Sequence, residues 1–204
     1  MRLNKNYYDI KNQWHEFGAS KDWNVYISNR NKHETNYVHV MKLFSNIKGA
    51  RIVEFGCGDG SLTEHLLEAG AFVHGVDFAQ SLLGRANKRL LGKNRFALSP
   101  IIRDFSILTD LDFKIVLAVS MLEHLPEDMT ERIFQDARRV LKKGGHFIFR
   151  LPLDKEHRVV KNEAIPALDT VFWTTDEIEK LAVKYKYEVV KIGFYSIFQK
   201  VTEL

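Results

Sequence analysis

Residues 51–61 read Arg51-Ile52-Val53-Glu54-Phe55-Gly56-Cys57-Gly58-Asp59-Gly60-Ser61, a short apolar run that breaks into three glycines at alternate positions. A run of this kind predicts a buried strand ending at Phe55, and helical spacing begins near Ser61. Glycines reach backbone angles closed to other residues and let a ligand approach the main chain. The next apolar run ends in Val76-Asp77, about twenty residues on, where an acidic side chain is placed to hydrogen-bond ribose hydroxyls. Strand, glycine turn, helix, strand and acid make the first βα unit of a nucleotide-binding sheet. A dinucleotide site would want its third glycine at the sixth position counted from Gly56. That position is Ser61, which disfavours a nicotinamide-dependent oxidoreductase.

Outward from this unit, apolar runs at Arg51 to Phe55, Ala71 to Val76, Phe113 to Val119 and His146 to Leu151 alternate with helical stretches, which predicts parallel strands joined by crossover helices. Ala97 to Arg103 reads as a further strand, and Pro100 assigns it to a sheet edge because proline cannot donate a ladder bond. Met129, Ile133, Phe134, Ala137, Val140 and Leu141 recur at helical spacing, with Pro126 in the first turn and Gly144-Gly145 as the expected stop. Thr174 and Glu177 form a capping-box pair ahead of Ile178, Leu181, Ala182 and Tyr185. Tyr187 to Val201 reads as two final strands. Before residue 50, Tyr7, Ile10, Trp14 and Phe17 share one helical face, as do Tyr37, Val40, Met41 and Phe44. The polar stretch between them, holding Trp23 and Tyr26, is expected to be a connector.

The glycine turn resembles motif I of the class I S-adenosylmethionine-dependent methyltransferases, an acidic residue followed by alternate glycines, matched at Glu54, Gly56, Gly58 and Gly60. Asp77 matches the family's ribose-binding acid. Arg103-Asp104-Phe105 matches the segment whose aspartate holds the adenine amino group beside an apolar wall. Val119 to Pro126 looks like the segment after the fourth strand, where main-chain groups hold the methionine ammonium, and Leu141 to Gly145 resembles the entry to the fifth. The resemblance implies an α/β fold: a doubly wound, mostly parallel seven-stranded sheet with helices on both faces and its last strand antiparallel. Length and apolar content predict a single domain, which the resemblance divides into a helical N-terminal cap over residues 1–48 and a Rossmann-like core over residues 49–204. The resemblance implies S-adenosyl-L-methionine as cofactor and S-adenosyl-L-homocysteine as product. The donor contacts it implies are Glu54, Gly56, Cys57, Gly58, Gly60, Asp77, Phe78, Asp104, Phe105, Ser120 and Met121.

Methyl transfer from a sulfonium is an in-line displacement, so alignment and exclusion of water are the protein's tasks. The acceptor side falls to the N-terminal helices and the insertion from Pro152 to Trp173. Tyr8 is expected to cover the donor, since an aromatic ring contributes area at low entropic cost. If the acceptor is a hydroxyl, a general base helps; His124 is the first candidate, with His157 and His15 after it. The alternative for His124 is a capping or packed role. Cys57, the only cysteine, reads as a small spacer between glycines rather than a nucleophile, and the eight histidines show no metal-ligand spacing, so no metal is expected.

With 30 basic and 26 acidic side chains among 204 residues, the net charge of +4 is small and carries no run of like charges, so nucleic acid is not the expected partner. The first twenty residues lack the apolar core of a secretory signal, and the apolar stretch from Ile115 to Leu122 is too short to span a bilayer, so a cytoplasmic protein without a membrane partner is expected. The function expected is methyl transfer to an oxygen or nitrogen of a small-molecule acceptor. The alternatives are a catalytically silent relative serving as a scaffold and a methyltransferase of tRNA or protein. The oligomeric state is left open.

Overall fold

The computed structural model describes residues 3–32, 37–100, 108 and 112–201. Seven strands form the main sheet in the order β3-β2-β1-β4-β5-β9-β8. They are β1 (Arg51–Phe55), β2 (Phe72–Asp77), β3 (Phe96–Pro100), β4 (Phe113–Ala118), β5 (Leu141–Phe149), β8 (Tyr187–Lys191) and β9 (Ser196–Lys200). The first five pair in parallel, and β9 runs antiparallel to both β5 and β8. This is the doubly wound, mostly parallel sheet that the resemblance implied, and its parallel strands are those the alternation of runs predicted. β3 lies at an edge, with Pro100 at its last position opposite Asp77.

Strand side chains alternate between two apolar layers, as the period of two requires. Val53, Phe55, Val116, Phe147 and Phe149 pack on one face with α6 (Glu127–Val140) and α7 (Thr175–Lys184), while Ile52, Leu117 and Ile148 pack on the other with α4 (Ser61–Glu68). At the centre of the first layer the Phe134 ring lies 5.1, 4.9 and 5.9 Å from those of Phe147, Phe149 and Phe198. The Thr174–Glu177 capping box starts α7 as expected. α6 stops earlier than expected. The chain leaves the helix at Leu141 and is already strand, so Gly144 and Gly145 lie inside β5; a Cβ on Gly145 would sit 2.9 Å from the Lys142 carbonyl, and the register with β4 shifts nearby.

The N-terminal region holds α1 (Tyr7–Ala19), α2 (Lys21–Lys32) and α3 (Tyr37–Met41). The stretch expected as a connector is therefore the helix α2. Its composition is polar, but Trp23 and Tyr26 stand three residues apart and pack on Phe17 of α1 at 5.4 and 5.5 Å. An Asn6–Asp9 capping box starts α1. α1 then crosses α5 (Gln80–Arg89) so closely that a Cβ on Gly18 would lie 2.6 Å from Leu82, a contact only glycine permits. The insertion after β5 forms a small antiparallel pair, β6 (Arg158–Val160) and β7 (Thr170–Phe172). Asp169, just before β7, ties three segments together: it accepts from the Asn162 amide and the Lys161 ammonium, and Lys5 reaches it from the N-terminal segment at 3.0 Å. Burial would raise its pKa, yet these donors hold the carboxyl below its usual value.

Candidate active site

The turn between β1 and α4 is held by two amides, Gly56 and Cys57, donating to the Val76 carbonyl at 2.8 and 3.1 Å. This stitch requires left-handed backbone at Gly56, φ +69°, where an added Cβ would strike Met121 at 2.8 Å. Gly58 is left-handed too, φ +56°, but a Cβ there would meet nothing within 4 Å. The open side of Gly58 is a cradle for a ligand against main chain. Its amide donates to Asp77 Oδ2 at 2.9 Å, while Asp77 Oδ1 accepts from the Ala79 amide at 2.8 Å. Burial pushes the Asp77 carboxyl from 3.8 up to about 6, against the pull of the N–H groups of Ala79, Gly58 and Phe78.

These groups open into a common cavity. Glu54, Gly56, Cys57, Gly58 and Asp59 form its floor; Asp77, Phe78 and Leu82 form one wall, and Ser120, Met121 and Leu125 form another. Glu54 is buried and accepts from Thr63 Oγ1 at 2.5 Å. Burial drives the Cys57 thiol well above its ordinary pKa, with Asp77 and Glu54 adding to the effect, so the sulfur is held as the neutral thiol. The roof is aromatic: Trp14 of α1, Trp23, Tyr26 and Ile27 of α2, and Tyr37 of α3. Of the residues expected at the donor, the structure thus brings Glu54, Gly56, Cys57, Gly58, Asp77, Phe78, Ser120 and Met121 to one cavity. Gly60 stands just behind, as the N-cap of α4. Tyr8 does not line the cavity and is 56% exposed; its neighbour Tyr7 packs toward Phe78 at 6.4 Å. Asp104 and Phe105 lie outside the described residues.

The histidines divide. His124 is 9% exposed, lies outside the cavity lining and packs behind Trp14 with ring centroids 5.3 Å apart. Its Nδ1 sits 2.9 Å from the Asp169 carbonyl oxygen. A carbonyl only accepts, so Nδ1 carries a proton. His157 lies in a separate cleft between α6 and α7, with Nε2 3.1 Å from Glu127 and Nδ1 2.9 Å from Glu177. The second contact is close enough for attraction but is not aligned as a hydrogen bond. His15 accepts from the Ser81 amide where α1 meets α5.

Two features had no clear signal in the sequence. Ser120 has φ +56°, uncommon for a residue with a side chain, at the point where β4 gives way to the cavity wall. Arg150, at the end of β5, donates to Ser120 Oγ at 3.3 Å and to buried Glu123 at 3.1 Å, bracing that wall, while its guanidinium covers Phe194 at 5.0 Å. Among the described residues no group of three His, Cys, Asp or Glu is placed to hold a metal ion, and no helix is long and apolar enough to cross a membrane.

Residues 52–145 match a family described as methyltransferase domain. Ubiquinone biosynthesis O-methyltransferase of Coxiella burnetii is 32% identical over 105 residues, covering 50% of this chain and 44% of the relative. The Vibrio cholerae protein of the same name is 26% identical over 136 residues, 64% of this chain and 55% of the relative. The chain spans about half the length of the curated relatives it matches. Among solved structures, magnesium protoporphyrin IX methyltransferase from Synechocystis PCC 6803 with bound S-adenosylmethionine aligns over 97% of this chain and 98% of its own at a TM-score of 0.68 and 16% identity. The 1,6-didemethyltoxoflavin-N1-methyltransferase of Burkholderia thailandensis, with bound 1,6-didemethyltoxoflavin and S-adenosylhomocysteine, aligns over 90% and 92% at a TM-score of 0.62 and 16% identity. At such identities the structural likeness speaks for the fold alone.

Proposed function

We propose, from the premise that residues 52–145 form a methyltransferase domain in a sheet of class I architecture, that the chain transfers a methyl group from S-adenosylmethionine to an oxygen or nitrogen of a small molecule. The observation that carries this reading is the pairing of the open Gly58 cradle with the buried Asp77 carboxylate, under an aromatic roof. A nucleoside with vicinal hydroxyls fits that pairing, because a carboxylate already anchored by two amides keeps lone pairs for further donors. Phe78 and Leu82 supply an apolar wall for the base. The turn from Gly56 to Gly58 and the wall at Ser120 and Met121 flank the amino-acid end. Bound there, the sulfonium supplies its own activated methyl group.

The rest is done by the chain. The roof residues Trp14, Trp23 and Tyr26 keep water from the reacting pair, which favours displacement by the acceptor over hydrolysis. Arg150 and Glu123 hold the Ser120 wall still, so the acceptor meets a fixed surface. In this reading His124 is a positioning residue that acts through Trp14, and His157 anchors the insertion to α6 and α7. Both kinds of small acceptor have precedent by name in similar proteins: an O-methyltransferase of ubiquinone biosynthesis and an N1-methyltransferase acting on 1,6-didemethyltoxoflavin. Calorimetric titration with S-adenosylmethionine and S-adenosylhomocysteine tests the reading. Saturable binding of both is expected, and absence of heat with either at high micromolar concentration would defeat it.

A further inference from the structure

Beside the donor cavity, on the far side of Trp23, a second, open cleft runs between α2 and α5. Trp23, Ile27 and Asp59 line both spaces, so a molecule lying in the cleft reaches the donor cavity along a shared wall. The cleft's own side is basic, built from Arg85, Lys88 and Arg89 of α5. Arg89 is neutralised, since Asp59 and Glu64 pair with it at 3.0 and 3.4 Å. The other two are not. Arg85 donates to the Gly18 carbonyl at 2.7 Å, to Asn24 Oδ1 at 2.9 Å and to the Ser20 carbonyl at 3.4 Å, all neutral acceptors. Lys88 makes no ion pair with any described residue. Those three bonds fix the guanidinium while occupying only part of its fork of N–H donors, so its charge and the remaining donors are pre-oriented before any ligand arrives.

We infer that this cleft seats an oxyanion carried by the methyl acceptor, a carboxylate or a phosphate, gripped by Arg85 and Lys88 while the reacting end extends past Trp23 and Ile27 toward the donor. The inference rests on the methyl-transfer reading above and adds to it a substrate class: acidic small molecules with an apolar body. Trp23 provides the flat surface for that body, and the two cations, which pair with no carboxylate among the described residues, select the acidic end.

The test uses the full chain, labelled with nitrogen-15 and saturated with S-adenosylhomocysteine, whose affinity is measured first. Failure of that first binding would overturn the methyl-transfer reading and this inference with it. Inorganic phosphate and benzoate are then titrated separately, following the Trp23 indole and the Lys88 amide. Saturable shifts at both signals, with the nucleoside still bound, are expected. Lys88→Glu replaces one attraction by one repulsion on an exposed position and is expected to weaken both anions about tenfold, whereas Lys88→Arg retains them. The inference is overturned, with the methyl-transfer reading intact, if neither anion shifts these signals or if Lys88→Glu binds as the parent does. It is equally overturned if the anions displace S-adenosylhomocysteine, or if only a short RNA oligonucleotide produces the shifts.

Discussion

Lowering the pH from 8 to 5 is expected to weaken binding of S-adenosylhomocysteine by about elevenfold through one group, Asp77. Burial raises this carboxyl to about 6 in the ligand-free protein. It is essentially all ionised at pH 8, and at pH 5 only about one molecule in eleven retains the charge. Ribose hydroxyls bonded to the carboxylate favour its charged form, so binding below pH 6 must release the proton. The apparent dissociation constant rises by about tenfold for each further pH unit, until the pKa of the complex is reached. Calorimetry at pH 8, 7, 6 and 5, in buffers of different ionisation heat, reads both the constant and the proton released. Asp77→Asn removes the slope, and at pH 8 costs about 2 kcal/mol, the worth of hydrogen bonds to a charged acceptor. A folded wild-type protein with a flat constant from pH 8 to 5, or an Asp77→Asn variant that keeps the slope, would refute the assignment. The same shift acts on stability with the opposite sign. Asp77 holds its proton more tightly folded than unfolded, so its contribution is fullest below pH 3.8 and is lost as the pH rises toward about 6.

Gly58→Ala meets no neighbour but forces a side chain into left-handed backbone and into the cradle; thermal melts should register about 1–2 kcal/mol of strain, and donor binding should fall by more than that strain explains. Phe134→Ala empties the centre of the aromatic layer and should cost about 3–5 kcal/mol in urea unfolding; a loss under 1 kcal/mol would mean the layer collapses to fill the hole. His157→Ala should leave affinity for S-adenosylhomocysteine unchanged while lowering the melting temperature, because it removes the link between Glu127 and Glu177; loss of methyl transfer at normal stability would return His157 to the reacting site.

The features read well from the sequence are those in which local spacing and backbone geometry coincide. Gly56 and Gly58 need positive φ, and Asp77 is the last residue of its strand, so a linear pattern carries a three-dimensional site. The α7 capping box is likewise complete within four residues. The roof is another matter. Trp23 and Tyr26 face the cavity because α2 folds over α5, a tertiary fact invisible in a polar stretch. An aromatic ring at Tyr8 suits a donor contact by its chemistry, yet the same spacing that groups Tyr7, Ile10, Trp14 and Phe17 on one face turns Tyr8 away from it. His124 followed the expected strand, but Trp14, from more than a hundred residues earlier, stands between it and the cavity. Ser120, whose hydroxyl accepts from Arg150, has left-handed backbone with no signature of its own in the sequence.

Lys5 donates to the Pro166 carbonyl, 161 residues away, and pairs with Asp169 beside it. That junction ties the start of α1 to a segment 161 residues later, so α1 receives its full anchorage only after that segment has been synthesised. Closing so long a loop is entropically costly and yields its contacts late. Fluorescence of Trp14 during refolding should therefore lag the far-ultraviolet signal of the sheet, and Lys5→Met should lengthen that lag. A newborn chain would thus complete its glycine turn well before gaining a covered chamber.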